Sequence, residues 1–192
     1  MPHSPLTFAA LKRAIIESCT PDLLEKKYRA ALSPDDPRET GHCAVASEAF
    51  YHIAGGKKAG FIPVVCGYAE NDRGDMKFKD EIHPALREGY AKCTHWWIRG
   101  PQGAERGAGK IFDVTAGQYD GPFPYHNGHN TGFMQPQQKP SKRAQIVIDR
   151  VIEKLGSARL EAYKQANLKA YAQAAEYHPT HKSRPVARSL RT

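Results

Sequence analysis

The chain has 192 residues, of which 40% are hydrophobic and 9% aromatic, and this composition suits one domain with a packed core. It contains no run of about 20 apolar residues, which excludes a membrane-spanning helix at the level of sequence. The formal net charge is +8, and such a basic balance permits contact with nucleic acid or another polyanion.

The cysteines are spaced far apart along the chain, at Cys19, Cys43, Cys66 and Cys93. No two of them form a CxxC pair, so a structural zinc site has little support, and neither a metal nor a cofactor is expected. Residues 1–20 do not have the pattern of a secretory signal, because charged side chains interrupt their apolar runs. Free thiols then indicate the reducing cytoplasm.

Two helices are predicted within residues 7–32. Thr7 can cap the first. Its apolar face consists of Phe8, Leu11 and Ile15. Thr20 and Pro21 can begin the second, with the threonine as cap and the proline at the first helical position. The predicted apolar face of the second helix consists of Leu24, Tyr28 and Leu32.

The segment 41–50, with the sequence GHCAVASEAF, follows a turn-rich stretch and begins a third helix. Apolar residues recur there at intervals of three and four, which is typical of a helix buried on one side. Gly55 and Gly56 can end this helix, because glycine tolerates the left-handed conformation at a helix C-terminus. Cys43 therefore falls at the helix N-terminus, where unpaired N–H groups and the helix dipole favour a thiolate.

Three strands are predicted after this helix, over residues 61–68, 93–98 and 110–114. The last two flank the glycine-rich loop 100–109 and are expected to form an antiparallel hairpin. If His95 lies opposite Asp113 in that hairpin, the two side chains share a face, and the carboxylate can orient the imidazole. Along the first strand of the hairpin, His95 and Trp97 share one side, and Trp96 takes the other.

Asp113 lies between apolar neighbours in the run Ile-Phe-Asp-Val. It could simply end its strand or cap the following segment, residues 115–117. A functional role explains it better, because a charge among apolar side chains needs a partner. We therefore expect Asp113 to pair with His95.

The order of Cys43 on a helix, followed by His95 and Asp113 on successive strands, resembles the papain-like superfamily in its broad sense, which includes NlpC-type peptidases, transglutaminase-like proteins and arylamine acetyltransferases. A closer resemblance is to small phage and bacterial proteins of the YunG-like kind. The matching segments are residues 41–49, 95–97, 113–119 and 140–144. The resemblance implies an α+β fold with a papain-like or NlpC-like core, in which the nucleophile helix packs on an antiparallel sheet. For a phage-encoded chain it implies the host cytoplasm.

Two further segments could border an active-site cleft. Residues 69–92 are highly charged and are interpreted as an exposed insertion, with a short helix near residues 84–90. Residues 121–133 form a long loop without a helical or strand period, and such loops are often functional. Tyr125 and Phe133 in this loop are candidates for lining a substrate pocket.

Ser141 can cap a fourth helix, and a fifth is predicted over residues 157–177. The fourth has an apolar stripe of Ala144, Ile148, Val151, Ile152 and Leu155. Lys142 and Arg143 fall in its first turn, where the dipole disfavours cations. They indicate an anionic partner, which is either a substrate phosphate or carboxylate or an acid of the protein itself.

Residues 1–177 are thus predicted to form a single α+β domain, with a catalytic core over residues 40–155 and extra helices at both ends. Residues 178–192 carry basic side chains and no acid. We interpret them as a flexible tail, which is either merely solvated or makes a weak nucleic-acid contact.

The predicted mechanism is that of a thiol hydrolase. Cys43 attacks an acyl or amide carbonyl, His95 stabilises the thiolate and protonates the leaving group, and Asp113 orients His95. The Cys43 N–H would form part of an oxyanion hole. Papain-like peptidases usually add a glutamine upstream of the nucleophile, which this sequence lacks, so the second donor is predicted to be His42 or Gln118.

The substrate is expected to be a peptide or an anionic small molecule, and Trp97 is a binding candidate because it lies on the side of His95. The acceptor decides the reaction class. Water gives a peptidase, amidase or deconjugating hydrolase, and an amine gives an acyltransferase or transglutaminase-like enzyme. The rival hypothesis is a catalytically inactive module that binds nucleic acid or another partner.

Overall fold

The computed structural model describes residues 4–70, 76–78, 91–101, 109–119, 121, 123–133 and 139–177. Within these residues the chain has an α+β fold, as predicted. The α-helices are α1 (Phe8–Ser18), α2 (Lys26–Ala31), α3 (Cys43–Ala54), α4 (Lys142–Leu155) and α5 (Ser157–Tyr177). The strands are β1 (Ile62–Glu70), β2 (Met76–Phe78), β3 (Ala91–Arg99), β4 (Ile111–Phe112) and β5 (His129–Asn130).

The described strands form an antiparallel sheet in the order β2-β1-β3-β4, and β5 also pairs with β1. The β1–β3 pair runs the length of both strands and places Cys66 opposite His95. β4 pairs with the end of β3 alone, at Ile98 and Arg99. The remaining edge of β3 therefore has no described strand beside it near His95.

The first and the last three helices match the sequence prediction closely. Thr7 Oγ1 accepts a hydrogen bond from the Ala10 amide at the start of α1. Ser141 Oγ accepts one from the Ala144 amide at the start of α4. Each cap satisfies one of the amides that a helix start leaves unpaired, and Gly156, with φ +81°, separates α4 from α5.

The prediction for the second helix was wrong at its start. Residues Pro21–Leu23 form a single 3-10 turn, and α2 begins only at Lys26. The Thr20 hydroxyl does not cap this turn, because it accepts a hydrogen bond of 2.6 Å from Arg150 on α4. Tyr28, expected on the apolar face, is 46% exposed.

The sheet has a different apolar cluster on each of its two faces. Ile98 belongs to the main core, which also contains Phe50 of α3 and Val147 of α4. Trp97 projects to the other face, in a smaller cluster with Val64 and Phe123. The alternation predicted for β3 is therefore confirmed, and it sends His95 to the face of Trp97.

The charged segment 69–92 is not simply a loop. β1 extends through Glu70, β3 begins at Ala91, and β2 pairs with the end of β1. The short helix predicted near residues 84–90 lies outside the described residues. So do residues 102–108 of the hairpin loop and the basic tail 178–192.

Candidate functional site

Cys43 is the first residue of α3, as predicted, and it is 8% exposed. The preceding Gly41 has φ +75°, a left-handed conformation that glycine adopts without a steric penalty. The thiol of Cys43 donates a hydrogen bond to the carbonyl oxygen of Thr94, with a distance of 3.4 Å from Sγ to oxygen. The candidate nucleophile therefore lies directly against the backbone of β3.

Helix α3 covers the open edge of β3 with two side chains one turn apart. Cys43 bonds to the Thr94 carbonyl, and Ser47 Oγ donates to the Trp96 carbonyl at 2.9 Å. Carbonyls of alternate strand residues point to the same side, and Ile98, the next in this series, pairs with β4. The two side chains thus satisfy strand acceptors where β4 has ended.

The prediction that the helix N-terminus would favour a thiolate at Cys43 is wrong for this structure. Burial raises the pKa of the Cys43 thiol from 9.0 to about 11, with a smaller contribution from the charge of Asp113. Backbone amides of Trp96, Ala44 and Cys43 act in the opposite direction and do not compensate. Desolvation outweighs the helix terminus, since it penalises the charged form directly.

His95 and Asp113 form a buried hydrogen-bonded pair. Nε2 of His95 lies 2.7 Å from Oδ2 of Asp113, and the side chains are 0% and 3% exposed. The two residues do not face each other across the strands, however. β4 ends at Phe112, opposite Ile98, and Asp113 follows it, so the contact predicted from register is instead made by a residue just beyond the strand.

The carboxylate of Asp113 accepts from several donors besides His95. Oδ1 receives the Thr115 amide at 2.9 Å and the Thr115 hydroxyl at a longer 3.4 Å. Oδ2 also receives the Tyr125 hydroxyl at 2.9 Å. Both carboxylate oxygens therefore accept hydrogen bonds, and this set of donors fixes the orientation of the side chain.

Tyr125 therefore contributes to the site through Asp113, whereas it was predicted to line a substrate pocket. Burial raises the pKa of its hydroxyl, and the Asp113 charge and hydrogen bond raise it further. Tyr125 remains a hydrogen-bond donor to the carboxylate throughout the ordinary pH range.

Gln118 contacts the other nitrogen of the His95 ring. Its Nε2 lies 3.1 Å from Nδ1 of His95 and 3.2 Å from Oγ1 of Thr115. Gln118 was predicted as a second oxyanion donor. In this arrangement both contacts of its amide nitrogen are inside the protein, so the amide is held by the histidine and the threonine.

Aromatic rings surround the imidazole of His95. Trp97 stacks on it at 5.7 Å between ring centroids, Tyr119 meets it edge-on at 4.8 Å, and Phe123 lies at 4.5 Å. Trp97 and Phe123 are almost completely buried. Trp97 therefore packs against the histidine, as its predicted side implied, and serves as a wall of the site.

No hydrogen bond joins the Cys43 thiol to the His95 ring in the described part of the chain. Sγ is bonded to Thr94, the residue before His95, and the two ring nitrogens contact Asp113 and Gln118. α3 packs against the face of Ile98, whereas His95 projects from the opposite face. Cys43 meets β3 at the edge between them.

The other predicted site residues lie away from the His95 ring. Phe133 stacks on Trp96 at 5.5 Å, on the opposite face of the sheet. His42 is buried, with Nδ1 and Nε2 each 3.0 Å from a carbonyl oxygen, those of Thr40 and Thr20. The oxyanion role predicted for His42 has no support, because both nitrogens are occupied.

Acids of the protein itself lie at the start of α4, where Arg143 pairs with Glu25 at 3.8 Å. The buried carboxylate of Glu48 accepts from the Ser141 amide at 2.8 Å and from the Ser141 hydroxyl at 2.6 Å. Arg143 donates to the Leu23 carbonyl, and Lys142 is exposed. Glu48 thus supplies the negative charge that a helix N-terminus favours.

Two members of the site were missed at the sequence level, Thr115 and Tyr119. The sequence contained a signal for Thr115, because an aspartate side chain can accept a hydrogen bond from the backbone amide two residues later, which is an Asx turn. Capping the segment 115–117 and pairing with His95 were treated as alternatives for Asp113. In the structure Oδ1 accepts the Thr115 amide and Oδ2 contacts His95. Nothing local indicates Tyr119, whose ring reaches His95 through the fold.

Among the described residues, no group of three His, Cys, Asp or Glu side chains is placed to hold a metal ion. The arrangement is therefore a histidine–carboxylate pair with a thiol at the adjoining strand edge.

A scan against protein-family models finds no matching family, and searches of curated proteins and of solved structures find no match. The resemblance to papain-like proteins stays a prediction. No α-helix in the described ranges combines the length and the apolar character needed to cross a bilayer.

Proposed function

We propose that this chain is a cysteine-dependent hydrolase of papain-like type, which cleaves an acyl or amide bond through a thioester on Cys43. The observation that carries the proposal is the buried His95–Asp113 pair at 2.7 Å, beside the strand carbonyl that holds the Cys43 thiol. Burying a histidine and a carboxylate is costly unless they are paired, and this pair adjoins a helix-terminal cysteine.

The topology supports a papain-like core. The candidate nucleophile begins a helix that packs on an antiparallel sheet, its histidine lies on β3, and its carboxylate follows β4. The order of the groups along the chain is that of the resemblance inferred from the sequence. Triads are identified by geometry and roles rather than by sequence position.

The chemistry starts from a neutral thiol, because the pKa of Cys43 is about 11. Cys43 turns from the Thr94 carbonyl to His95, and Nδ1 takes the thiol proton as the sulfur bonds to the substrate carbonyl carbon. The imidazolium then gives that proton to the leaving group, and a thioester remains. Water hydrolyses the thioester with His95 as general base. An amine acceptor would make the same intermediate that of an acyltransferase.

The proposal is tested with p-nitrophenyl acetate as acyl donor and intact mass spectrometry. The expected result is one acetyl group on Cys43, formed much more slowly in His95→Gln and not in Cys43→Ala. Cys19→Ala is the matched control, because Cys19 is also a buried thiol, with its pKa raised to about 12 by burial. Acetylation at the same rate in His95→Gln as in wild type would overturn the proposal.

A second candidate is a catalytically inactive interaction module, and the twin contacts of Cys43 and Ser47 with β3 favour it. Both side chains satisfy strand carbonyls, so Cys43 has a structural role that needs no reaction. The basic side chains of the chain would then bind a polyanion. Binding of a DNA or RNA oligonucleotide that weakens steeply with salt and is unchanged in Cys43→Ala, without any acetylation of wild type, would support this candidate.

A further inference from the structure

The hydrogen bonds around His95 form a directed network whose protons can be assigned. Asp113 only accepts, so the ring nitrogen facing it, Nε2, carries a proton. The Thr115 hydroxyl gives its proton to Asp113, which leaves its oxygen to accept from Gln118. These assignments follow from the acceptor-only carboxylate at the centre.

The assignment extends to the second ring nitrogen. Gln118 Nε2 has two hydrogens and two neighbours at hydrogen-bond distance, Oγ1 of Thr115 at 3.2 Å and Nδ1 of His95 at 3.1 Å. With Thr115 accepting one hydrogen, the other points at Nδ1, which must then present its lone pair. With the Gln118 amide in this orientation, Nε2 of His95 carries the proton and Nδ1 presents its lone pair, so each donor in the network has an acceptor.

We infer that Gln118 is a positioning residue that occupies the proton-accepting nitrogen of His95, so that the Cys43 thiol reaches Nδ1 only after the amide has moved away. This inference rests on the proposed function, because it assumes that Cys43 transfers its proton to His95. In the transfer the S–H bond breaks and an Nδ1–H bond forms, which leaves a thiolate and an imidazolium.

The position of Gln118 explains why no hydrogen bond joins the Cys43 thiol to the His95 imidazole. Nδ1 has a single lone pair, and the amide uses it, while the thiol bonds to Thr94. Gln118 lies at the end of a short 3-10 turn, Ala116–Gln118, and is half-buried. A substrate that takes over the amide hydrogens would release Nδ1 as it binds.

The contact itself is tested by nitrogen NMR on protein labelled with 15N-histidine, with the His95 signals assigned through His95→Gln. In wild type near neutral pH we expect a protonated Nε2 and an unprotonated Nδ1. In Gln118→Glu the carboxylate can accept a proton from Nδ1, so both nitrogens should be protonated. An unchanged Nδ1 signal in this variant would overturn the inference, whatever the enzyme does.

The effect on the thiol is tested by the rate of Cys43 alkylation with iodoacetamide. Loss of one neutral hydrogen bond should raise the rate in Gln118→Ala about two- to tenfold. Gln145→Ala is the control, because that amide bonds to Asp149 on the exposed face of α4. The double variant Gln118→Ala/His95→Gln separates proton transfer from easier reagent access.

The gain should vanish in the double variant. A gain that persists there, or no gain in Gln118→Ala, would overturn the inference while leaving the proposed function to its own test. Conversely, acetylation of Cys43 that is independent of His95 would defeat the proposed function, and the NMR result would still decide whether Gln118 holds Nδ1.

Discussion

His95 and Asp113 are joined by a 2.7 Å hydrogen bond although the strand register does not place them opposite each other. The pairing follows from where β4 stops. Asp113 leaves the sheet immediately after Phe112, and its amide-bonded turn with Thr115 brings the carboxylate back to the ring. A short strand and a tight turn therefore produce the contact between His95 and Asp113 that was expected from a longer hairpin.

Replacing Asp113 by asparagine should abolish most of the acylation of Cys43. Asparagine has one acceptor oxygen and a donating amide, so His95 loses the partner that fixes the Nε2–H tautomer. Loss of the aspartate from a comparable triad lowers the rate about 10⁴-fold, and we expect a fall of about 10²- to 10⁴-fold. Acetylation kinetics measure it, and circular dichroism checks folding. Asp149→Asn, on an exposed surface, should leave the rate unchanged.

Alkylation of Cys43 should be slow at neutral pH and should become about tenfold faster for each pH unit towards 11, because the thiolate is the reactive form and burial raises the pKa to about 11. The rate of iodoacetamide modification between pH 6 and pH 11, read by peptide mass spectrometry, measures the profile. A plateau that begins at or below neutral pH would show instead that the thiolate is already formed in the folded protein.

Stability should fall as the pH rises from 9 towards 11. Burial raises the pKa of the Cys43 thiol from 9.0, the ordinary value for a cysteine, to about 11 in the folded protein, so the folded state holds the proton more tightly. A group with a raised pKa contributes stability that is fully present below the pKa of the unfolded state. That contribution is lost as the pH rises through the pKa of the folded state. Thermal unfolding across this range, compared between wild type and Cys43→Ala, should show a shallower decline in the variant. Identical slopes would argue against the raised pKa.

Tyr125→Phe should weaken the site without destroying it. The change removes one donor from Oδ2 of Asp113, and a single hydrogen bond to a charged group contributes about 1.5–3 kcal/mol. We expect a lower acetylation rate and a modest loss of stability in urea unfolding. Tyr28→Phe, at a largely exposed position, is the matched control. A wild-type rate in Tyr125→Phe would show that the tyrosine does not position the carboxylate.

Glu48→Ala should destabilise the fold. The buried carboxylate joins α3 to the start of α4 through two bonds to Ser141, and its loss leaves the amide and the hydroxyl of the half-buried Ser141 without this acceptor. Each such group costs about 1–3 kcal/mol, which urea unfolding can measure. Glu153→Ala, exposed on α4, should change stability little. Equal losses in both variants would mean that the Ser141 contact contributes nothing.

The sequence predicted the helix caps and the alternation of side chains along a strand. Thr7 and Ser141 were predicted as caps and act as caps, and the alternation along β3 put Trp96 and Trp97 on opposite faces as expected. Such features depend on a few consecutive residues, whose backbone geometry is fixed by neighbours along the chain.

The predictions failed where a residue distant in sequence contacts or buries the polar group in question. Thr20 did not cap a helix, because its hydroxyl was bound by Arg150. The start of α4 has acids of the protein beside it, with Glu48 at Ser141 and Glu25 at Arg143. The Cys43 thiol keeps its proton, because the fold buries it so deeply that desolvation outweighs the helix dipole and raises its pKa.

The sequence by itself therefore determined α1, α3, α4 and α5, the long strands β1 and β3, and the choice of Cys43, His95 and Asp113 as the reactive candidates, whereas it missed the short strands β2 and β5. Only the tertiary structure decided which side chain contacts which nitrogen of His95, and whether the thiol is charged. The reason is physical. Secondary structure is set by local backbone preferences, whereas protonation and hydrogen-bond direction depend on every polar group that folding brings within about 3 Å.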